Sequence, residues 1–479
     1  MQSVKKNYLY YLLMLVTNIL FPVLVFPYIA RQLGPDGLGD AQFALQYSKY
    51  FAIMASLGIP VYGMREVAKV KHRKMRLNKL VSELIILNII TSLISAIIYV
   101  GTLYYSNVLS LHRELFFIAG LQVLLGCLSV DWIFVGLEDF KIITIRSLAI
   151  RLLTVVFLFV YVHSPDDVIP YLLISVLSIV LGYLWIFFYA LKQIKLLWRG
   201  LSFINHLQPI FLIFLMNVCI SMYTVFDTAW IGFLSTSVAV GFYSAAIKLA
   251  KIGIPFVTSL GTVLIPRSAR TFAANIEQPV HLQTSYNFIV DISIPMGVGL
   301  FLLAPELIFV LSGPEFNEAI WAMRLLSFLP FIIGLSNLFG IQILTAAGHE
   351  KSVLVSVFLG MLLNIALNLL WVPQLHHNGG ALAILFTESF VTLITFYFCH
   401  IKYKINFGFK RILQALLLSI VAIPVVYFLR FFAPNHLFVL CGSIMITASL
   451  YLLLQWAIFK NEFIHQAIDL FKTKRLNEV

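Results

Sequence analysis

The chain has 479 residues, of which 61% are hydrophobic and only 11% charged, with a formal net charge of +12 and a mean hydropathy of +0.94. A soluble domain of this length could not cover its surface with so few polar groups, whereas ~280 residues suffice for fourteen membrane crossings at about 20 apolar residues each. Composition therefore excludes a soluble enzyme or a nucleic-acid-binding module and predicts an all-α polytopic membrane protein.

In chain order the apolar runs predict fourteen spans, at 7–33, 41–66, 80–105, 115–137, 142–162, 168–190, 209–235, 239–266, 285–311, 319–345, 352–373, 380–400, 412–432 and 437–457. The first follows Lys5 and Lys6 but is too long for a signal-peptide core and lacks a small-residue cleavage site, so a mature helix is expected. Spans one and two are joined by a Gly/Pro turn from Gly34 to Asp40. Cys127, Cys219, Cys399 and Cys441 lie far apart in apolar stretches, without metal or disulfide spacing.

The loops test this count, because cytoplasmic loops carry the Lys/Arg excess. With the N-terminus inside, the inner segments hold 23 Lys/Arg and the outer loops one, Arg113. Outer loops carry Asp36, Asp40, Asp166, Asp167, Glu315 and Glu318 instead. An even number of spans with both termini cytoplasmic follows. The positive charge is thus mostly topology, and the run from Lys69 to Lys79 is expected to meet anionic lipid. The longest outer loop is nine residues, and Asp166-Asp167 reads as a solvated turn rather than a catalytic pair.

The segment 193–208, with Lys195, Trp198 and Arg199, reads as a mildly amphipathic surface linker. It divides an N-terminal bundle (1–192) from a C-terminal bundle (209–400), followed by two additional helices (401–459) and a tail (460–479). The halves carry a faint repeat. Asn18 matches Asn217, and after a slip in the turn Gly39, Ala44, Lys49 and Arg65 match Gly241, Ala246, Lys251 and Arg267 at an offset of 202. Six spans separate the matched helices, so the repeat is parallel, with its axis along the membrane normal.

Nine basic residues remain within spans: Arg31, Lys49, Arg65, Arg146, Arg151, Lys248, Lys251, Arg324 and Arg430. A charge at the centre of a membrane helix costs about 2.5–3.5 kcal/mol on insertion scales, so it normally faces protein, water or ligand. Lys248 and Lys251 are three apart on one helix face, as are their counterparts Gln46 and Lys49. Lys251 lies roughly 18 Å from the outer end of its helix, near the bilayer middle. These residues point to a cationic cavity. Asp131 and Arg146 come to similar depth across a short hairpin, which predicts an ion pair. Arg324 and Arg430, within a turn or two of the outer ends, are expected to snorkel.

A second cluster is acidic or amide. Asp227, Asn364 and Glu388 all fall roughly 12–14 Å from the outer surface, with Asn368 one turn from Asn364 and Thr387 beside Glu388. Oxygen groups at one level suit a hard monovalent cation or a carried proton. A pairing of Asp227 with Lys248, nine residues into the next span, accounts for the same residue.

The stretches FPYIARQLGPDGLGDAQFALQYSKYF, LGIPVYGMREVAK and DWIFVGLEDFKIITIRS, and the helix with Asp227 followed by VGFYSAAIKLAKI, resemble the Wzx-type polysaccharide flippases. Their superfamily also holds the multidrug and toxin extruders and the lipid II flippase. The resemblance implies two pseudo-twofold helical bundles around a V-shaped cavity in the bacterial cytoplasmic membrane. The implied cargo is an undecaprenyl-pyrophosphate-linked glycan, with membrane lipids and other surface-polysaccharide assembly proteins as partners. Basic cavity residues carry over to Lys49, Lys248 and Lys251, and less directly to Arg31, Arg65 and Arg151. The sodium site of some lipid II flippases carries over to Asp227, Asn364, Asn368 and Thr387, whereas Glu388 has no certain counterpart. No cofactor is expected beyond a coupling Na⁺ or H⁺, and no enzymatic activity. The rival readings are a cation-coupled multidrug exporter of the same fold, whose cavity would be richer in carboxylates and aromatic rings, and a membrane glycosyltransferase or polymerase.

Overall fold

The computed structural model describes residues 4–274, 280–404, 407–432 and 435–459; the expected tail, 460–479, lies outside the described residues. Every regular element among them is a helix. Eleven are long and apolar enough to cross a bilayer, and the chain is a multi-pass membrane protein.

Two helices are far longer than a membrane requires. Val4–Ala55 has 52 residues and Glu350–Tyr403 has 54, which if straight would reach about 80 Å against a hydrocarbon core of about 30 Å. Both are interrupted once. The first kinks at Gly34 (φ 65°, ψ −178°), a left-handed φ that glycine tolerates. Pro35 then restarts the helix, its fixed φ already suited to a first helical position. The open turn expected over Gly34 to Asp40 thus shrinks to one non-helical residue. Glu350–Tyr403 breaks at His376 (φ 50°, ψ −126°), whose Nδ1 lies 2.8 Å from Ser235 Oγ.

The expected span 115–137 is also broken. Arg113–Leu124 is followed by a tight 3₁₀ turn, Leu125–Leu128, and then by the short helix Asp131–Gly136. Asn88 Nδ2 donates to the Cys127 carbonyl at 3.4 Å, engaging a carbonyl that the break releases from the helix ladder.

The linker has no helix between Ile194 and Phe203, and the next helix, Ile204–Thr224, starts five residues earlier than read. Its backbone is tied down instead. Leu197 N donates to Ser82 Oγ (2.8 Å) and Ser202 N to Glu83 Oε1 (2.6 Å). Glu83, buried on Lys74–Tyr105, also contacts His206 Nε2 at 2.9 Å, and His206 Nδ1 contacts Tyr62 Oη at 2.8 Å. Asp166-Asp167 is a turn as predicted. The Asp167 carboxylate accepts from His163 N (2.8 Å), Ser164 N (2.9 Å) and Ser164 Oγ (3.0 Å).

The chain forms two compact units, one of residues 1–245 with 311–316 and 357–387, the other of 246–310, 317–356 and the chain from 388 onward. Within the first, the repeat has a structural signature. A Cβ added at Gly39 would stand 1.8 Å from the Ser237 carbonyl oxygen, and one at Gly241 would stand 1.9 Å from that of Pro35. The offset of 202 pairs Gly39 with Gly241 and Pro35 with Ser237, so equivalent residues make the same contact in both directions. That reciprocity is the property of a two-fold axis. Ser237 Oγ also donates to Asp40 Oδ1 across this seam.

In the second unit, two carboxylates inside the expected ninth span were overlooked in the sequence. Asp291, on Val280–Leu302, accepts from Arg411 Nε at 2.8 Å and from its Nη2. Glu306 accepts from Arg430 Nε (2.7 Å) and Nη2 (2.8 Å), while Nη2 also donates to the Leu302 carbonyl (2.7 Å). Arg430 therefore does not snorkel away alone: a buried carboxylate holds it, because a bidentate guanidinium pair satisfies both groups where water is scarce. Arg324 lies over the Trp321 ring at 4.9 Å.

Candidate functional site

Lys49 stands on the wall of a cavity of about 430 Å³ in the first unit, shared with Gln46, Asn88, Gln122, Ser129 and Tyr183. Packing on the other side of its helix sets this wall. Tyr47, two residues away, is buried among Phe43, Phe51, Tyr99, Phe116, Phe226 and Phe233 and donates to Thr102 Oγ1 at 2.8 Å. The aromatic face anchors the helix, so residues turned about 100° per step from it face the cavity. Gln122 Nε2 donates to the Leu45 carbonyl (3.3 Å) and to Ser48 Oγ, joining the far wall to the same helix. The break after Leu124 brings Gly126 and Ser129 to the lining.

Four of the five residues expected in a cation cluster come together. Asp227 opens the helix Asp227–Leu234 after an interruption that follows Ile204–Thr224. Asn364 Nδ2 donates to Asp227 Oδ1 (3.2 Å) and to Thr387 Oγ1 (3.3 Å), and Asn368 Nδ2 donates to Asn364 Oδ1 (3.0 Å). All four residues are buried. The sequence reading missed Tyr243, whose hydroxyl donates to Asp227 Oδ2 at 3.2 Å; its place between Asp227 and the lysines in a quoted stretch was the available signal. Asn368 Oδ1 is buried without a hydrogen-bond partner. A carboxylate, two amide oxygens, of which Asn368 Oδ1 is the orphaned one, and a hydroxyl make a hard-donor set that fits a monovalent cation once the amides rotate. Glu388, the next residue after Thr387, is buried and interacts electrostatically with Lys251.

The remaining cations divide by environment. Lys248 and Lys251, partly buried, sit in the last turn of Ser237–Lys251. Arg151 lies over the Phe21 ring at 5.7 Å. Arg31 is exposed just before the Gly34 kink. Arg65 is 54% exposed beside Glu66 (3.6 Å), which also pairs with Lys69 (2.7 Å). The predicted ion pair is present, with Arg146 Nη1 2.8 Å from Asp131 Oδ1.

Among known proteins, residues 4–272, more than half the chain, match the family described as polysaccharide biosynthesis protein. The chain belongs to this family. Another match, to the MatE family, covers residues 213–370. Candidate O-antigen transporters of Escherichia coli (strain K12) and Shigella dysenteriae are each 24% identical to this family member, over 83% and 81% of its chain and 96% and 98% of theirs. The inward closed conformation of the lipid II flippase MurJ matches with a TM-score of 0.77 at 16% identity, covering 95% of this chain and 99% of that one. An inward-facing multidrug resistance MATE family transporter of the MOP superfamily gives 0.63 at 15% identity, over 80% and 94%. These structures establish a MurJ/MATE-like fold, and the Wzx-type resemblance read from the sequence holds for this family member.

Proposed function

We propose that the protein is a flippase that carries undecaprenyl-pyrophosphate-linked oligosaccharide repeat units from the inner to the outer leaflet of the bacterial cytoplasmic membrane by alternating access. The observation that carries this reading is Lys49, a cation on the wall of a cavity among membrane-spanning helices, in a polysaccharide biosynthesis family member. A pyrophosphate crossing hydrocarbon needs its charge compensated, and ammonium groups do so by charge-assisted hydrogen bonds. Lys49, Lys248 and Lys251 take that role, with Arg31, Arg65 and Arg151 in support along the path. The glycan travels in the cavity while the lipid tail stays in the bilayer.

The full scheme has fourteen transmembrane helices in two pseudo-twofold bundles around a V-shaped cavity, residues 1–192 and 209–400, with 193–208 as linker and 401–459 as an additional pair. The kinked pairs Val4–Ala55 and Glu350–Tyr403 support that count, and the Lys/Arg asymmetry supports cytoplasmic termini. Asp227, Asn364, Asn368 and Thr387 would hold Na⁺, or Asp227 a proton; either neutralises the buried carboxylate and so couples its conformational preference to an ion gradient. Glu388, which interacts electrostatically with Lys251, is the fifth candidate of this cluster. Surface-polysaccharide assembly proteins are the expected partners.

Proteoliposomes containing only this protein, a fluorescent undecaprenyl-pyrophosphate-linked oligosaccharide and an external quencher test the reading. Wild type flips the probe, while Lys248→Ala and Lys251→Ala each reduce flipping sharply at normal membrane expression. Full activity in both mutants and in the double mutant would overturn the cationic path. No flipping under any ion gradient by folded protein, with organic cations raising its Tm, would favour the exporter.

A further inference from the structure

Charge compensation uses only one of the groups around the Lys49 cavity. Lys49 is the sole charged side chain on its wall; the rest of the polar lining is amide, hydroxyl and phenol. Asn88 is buried, its Oδ1 without a hydrogen-bond partner. Gln122 commits its Nε2 to Leu45 and Ser48, which leaves Oε1 an acceptor at the cavity edge. Gln46 and Tyr183 bring a further amide and a phenol. The volume, about 430 Å³, falls in the range of small-molecule sites.

This lining discriminates among ligand classes. An apolar ligand would meet Leu45, Ile53 and Ile179 but would displace water from the Gln46 and Gln122 amides without replacing its hydrogen bonds, which polar groups tolerate poorly. An organic cation would meet Lys49 with no carboxylate on the wall. A bare phosphate would engage Lys49 and leave the amides idle. A sugar bonded to a phosphate uses both parts, since its hydroxyls and acetamido groups donate and accept at once and replace the displaced waters bond for bond.

We propose that this cavity is the glycan-reading subsite of the transporter: it receives the sugar next to the pyrophosphate, Lys49 faces the phosphate, and Gln46, Gln122 and Tyr183 determine which sugar is accepted. This rests on the flippase reading above and names its specificity-determining residues. Selection is strong where a site built to hydrogen-bond a hydroxyl is left unpaired by the wrong cargo.

The test exploits Gly126, on the cavity wall, where an added Cβ meets nothing within 4 Å. Gly126→Phe fills the cavity from its lining. Gly101→Phe adds the same bulk at another position with nothing within 4 Å, away from the cavity. Gln46→Leu removes an amide that makes no side-chain hydrogen bond among the described residues, so it decides the matter should Gly126→Phe fail to fold. Proteoliposomes are given two probes, undecaprenyl pyrophosphate bearing a fluorescent N-acetylhexosamine-containing oligosaccharide, and undecaprenyl pyrophosphate esterified directly to the fluorophore. The ratio of sugar-bearing to sugar-free flipping falls at least about tenfold in Gly126→Phe and clearly in Gln46→Leu, and stays at the wild-type value in Gly101→Phe. An unchanged ratio in folded Gly126→Phe and Gln46→Leu, whether both cargoes move normally or both are lost together, overturns the subsite and leaves the flippase standing. Wild type moving neither probe overturns the flippase reading itself, and the subsite with it.

Discussion

Replacing Gly39 by alanine tests the reciprocal seam between the Gly34–Asp40 segment and its repeat equivalent. The new methyl would lie 1.8 Å from the Ser237 oxygen and 2.6 Å from the Ser237 carbonyl carbon. Real Cβ contacts stay beyond 3.0 Å, so the two backbones must part by at least about 1.2 Å, and backbone cannot yield as a side-chain tip does. Overpacking of this kind costs about 1–3 kcal/mol; for a unit of about 280 residues that lowers Tm by about 2–5 °C. Gly241→Ala meets the Pro35 oxygen at 1.9 Å and carries the same penalty. Because both methyls enter one seam, the first separation makes room for the second, and the double mutant loses less than the sum of the singles. The measurement is thermal unfolding in detergent of wild type, both singles and the double, with Gly101→Ala as control, where added alanine meets open space and gains helix propensity. Gly39→Ala as stable as Gly101→Ala, or strict additivity in the double, would refute the reciprocal packing and the two-fold relation argued from it.

Sodium chloride raises the Tm of wild type above its value in potassium chloride, and Asp227→Asn and Thr387→Val remove that difference, as a melting series in the two salts would register. Glu306→Ala leaves the Arg430 guanidinium without its carboxylate and costs about 3–5 kcal/mol, reduced because Arg430 is 29% exposed. Glu306→Leu combined with Arg430→Leu, beside the apolar group Leu303, Val426 and Leu440, recovers most of that loss; a double mutant no better than Glu306→Ala in denaturation would count against the pair. Asp167 is held below the usual carboxylate range by hydrogen bonds from the His163 amide and from the Ser164 hydroxyl and amide. Its stabilisation is therefore present above the unfolded value of 3.8 and lost as pH falls through the lower folded value. Asp167→Ala melts below wild type near neutral pH, and the gap closes in acid; a gap independent of pH would show that the carboxylate charge is not what the turn uses.

Much of the architecture is legible because hydropathy and charge act on one residue at a time against the bilayer. Each apolar run between Lys74 and Phe432 that reads as a span contains a helix of the structure. The Asp131–Arg146 pair is legible too, since a short hairpin fixes relative depth. The two long kinked helices and the interruptions after Leu124 and Thr224 are not. They depend on single residues such as Gly34 and on whether a released carbonyl finds a partner such as Asn88, which no window average contains.

The same distinction separates what each level determined about this protein. Its sequence alone established a basic, multi-pass, all-helical chain with cations inside its spans, a faint internal repeat, and membership in a polysaccharide transport family through contiguous stretches. Only the tertiary structure decided which polar groups meet. Asn364 reaches Asp227 across 137 positions and Arg430 reaches Glu306 across 124, so Arg430 became structural, and Asn88 and Gln122 joined Lys49 around one cavity. The physical reason is that insertion energies are properties of individual residues in a solvent, whereas a hydrogen bond or a cavity wall exists only once distant helices have packed against each other.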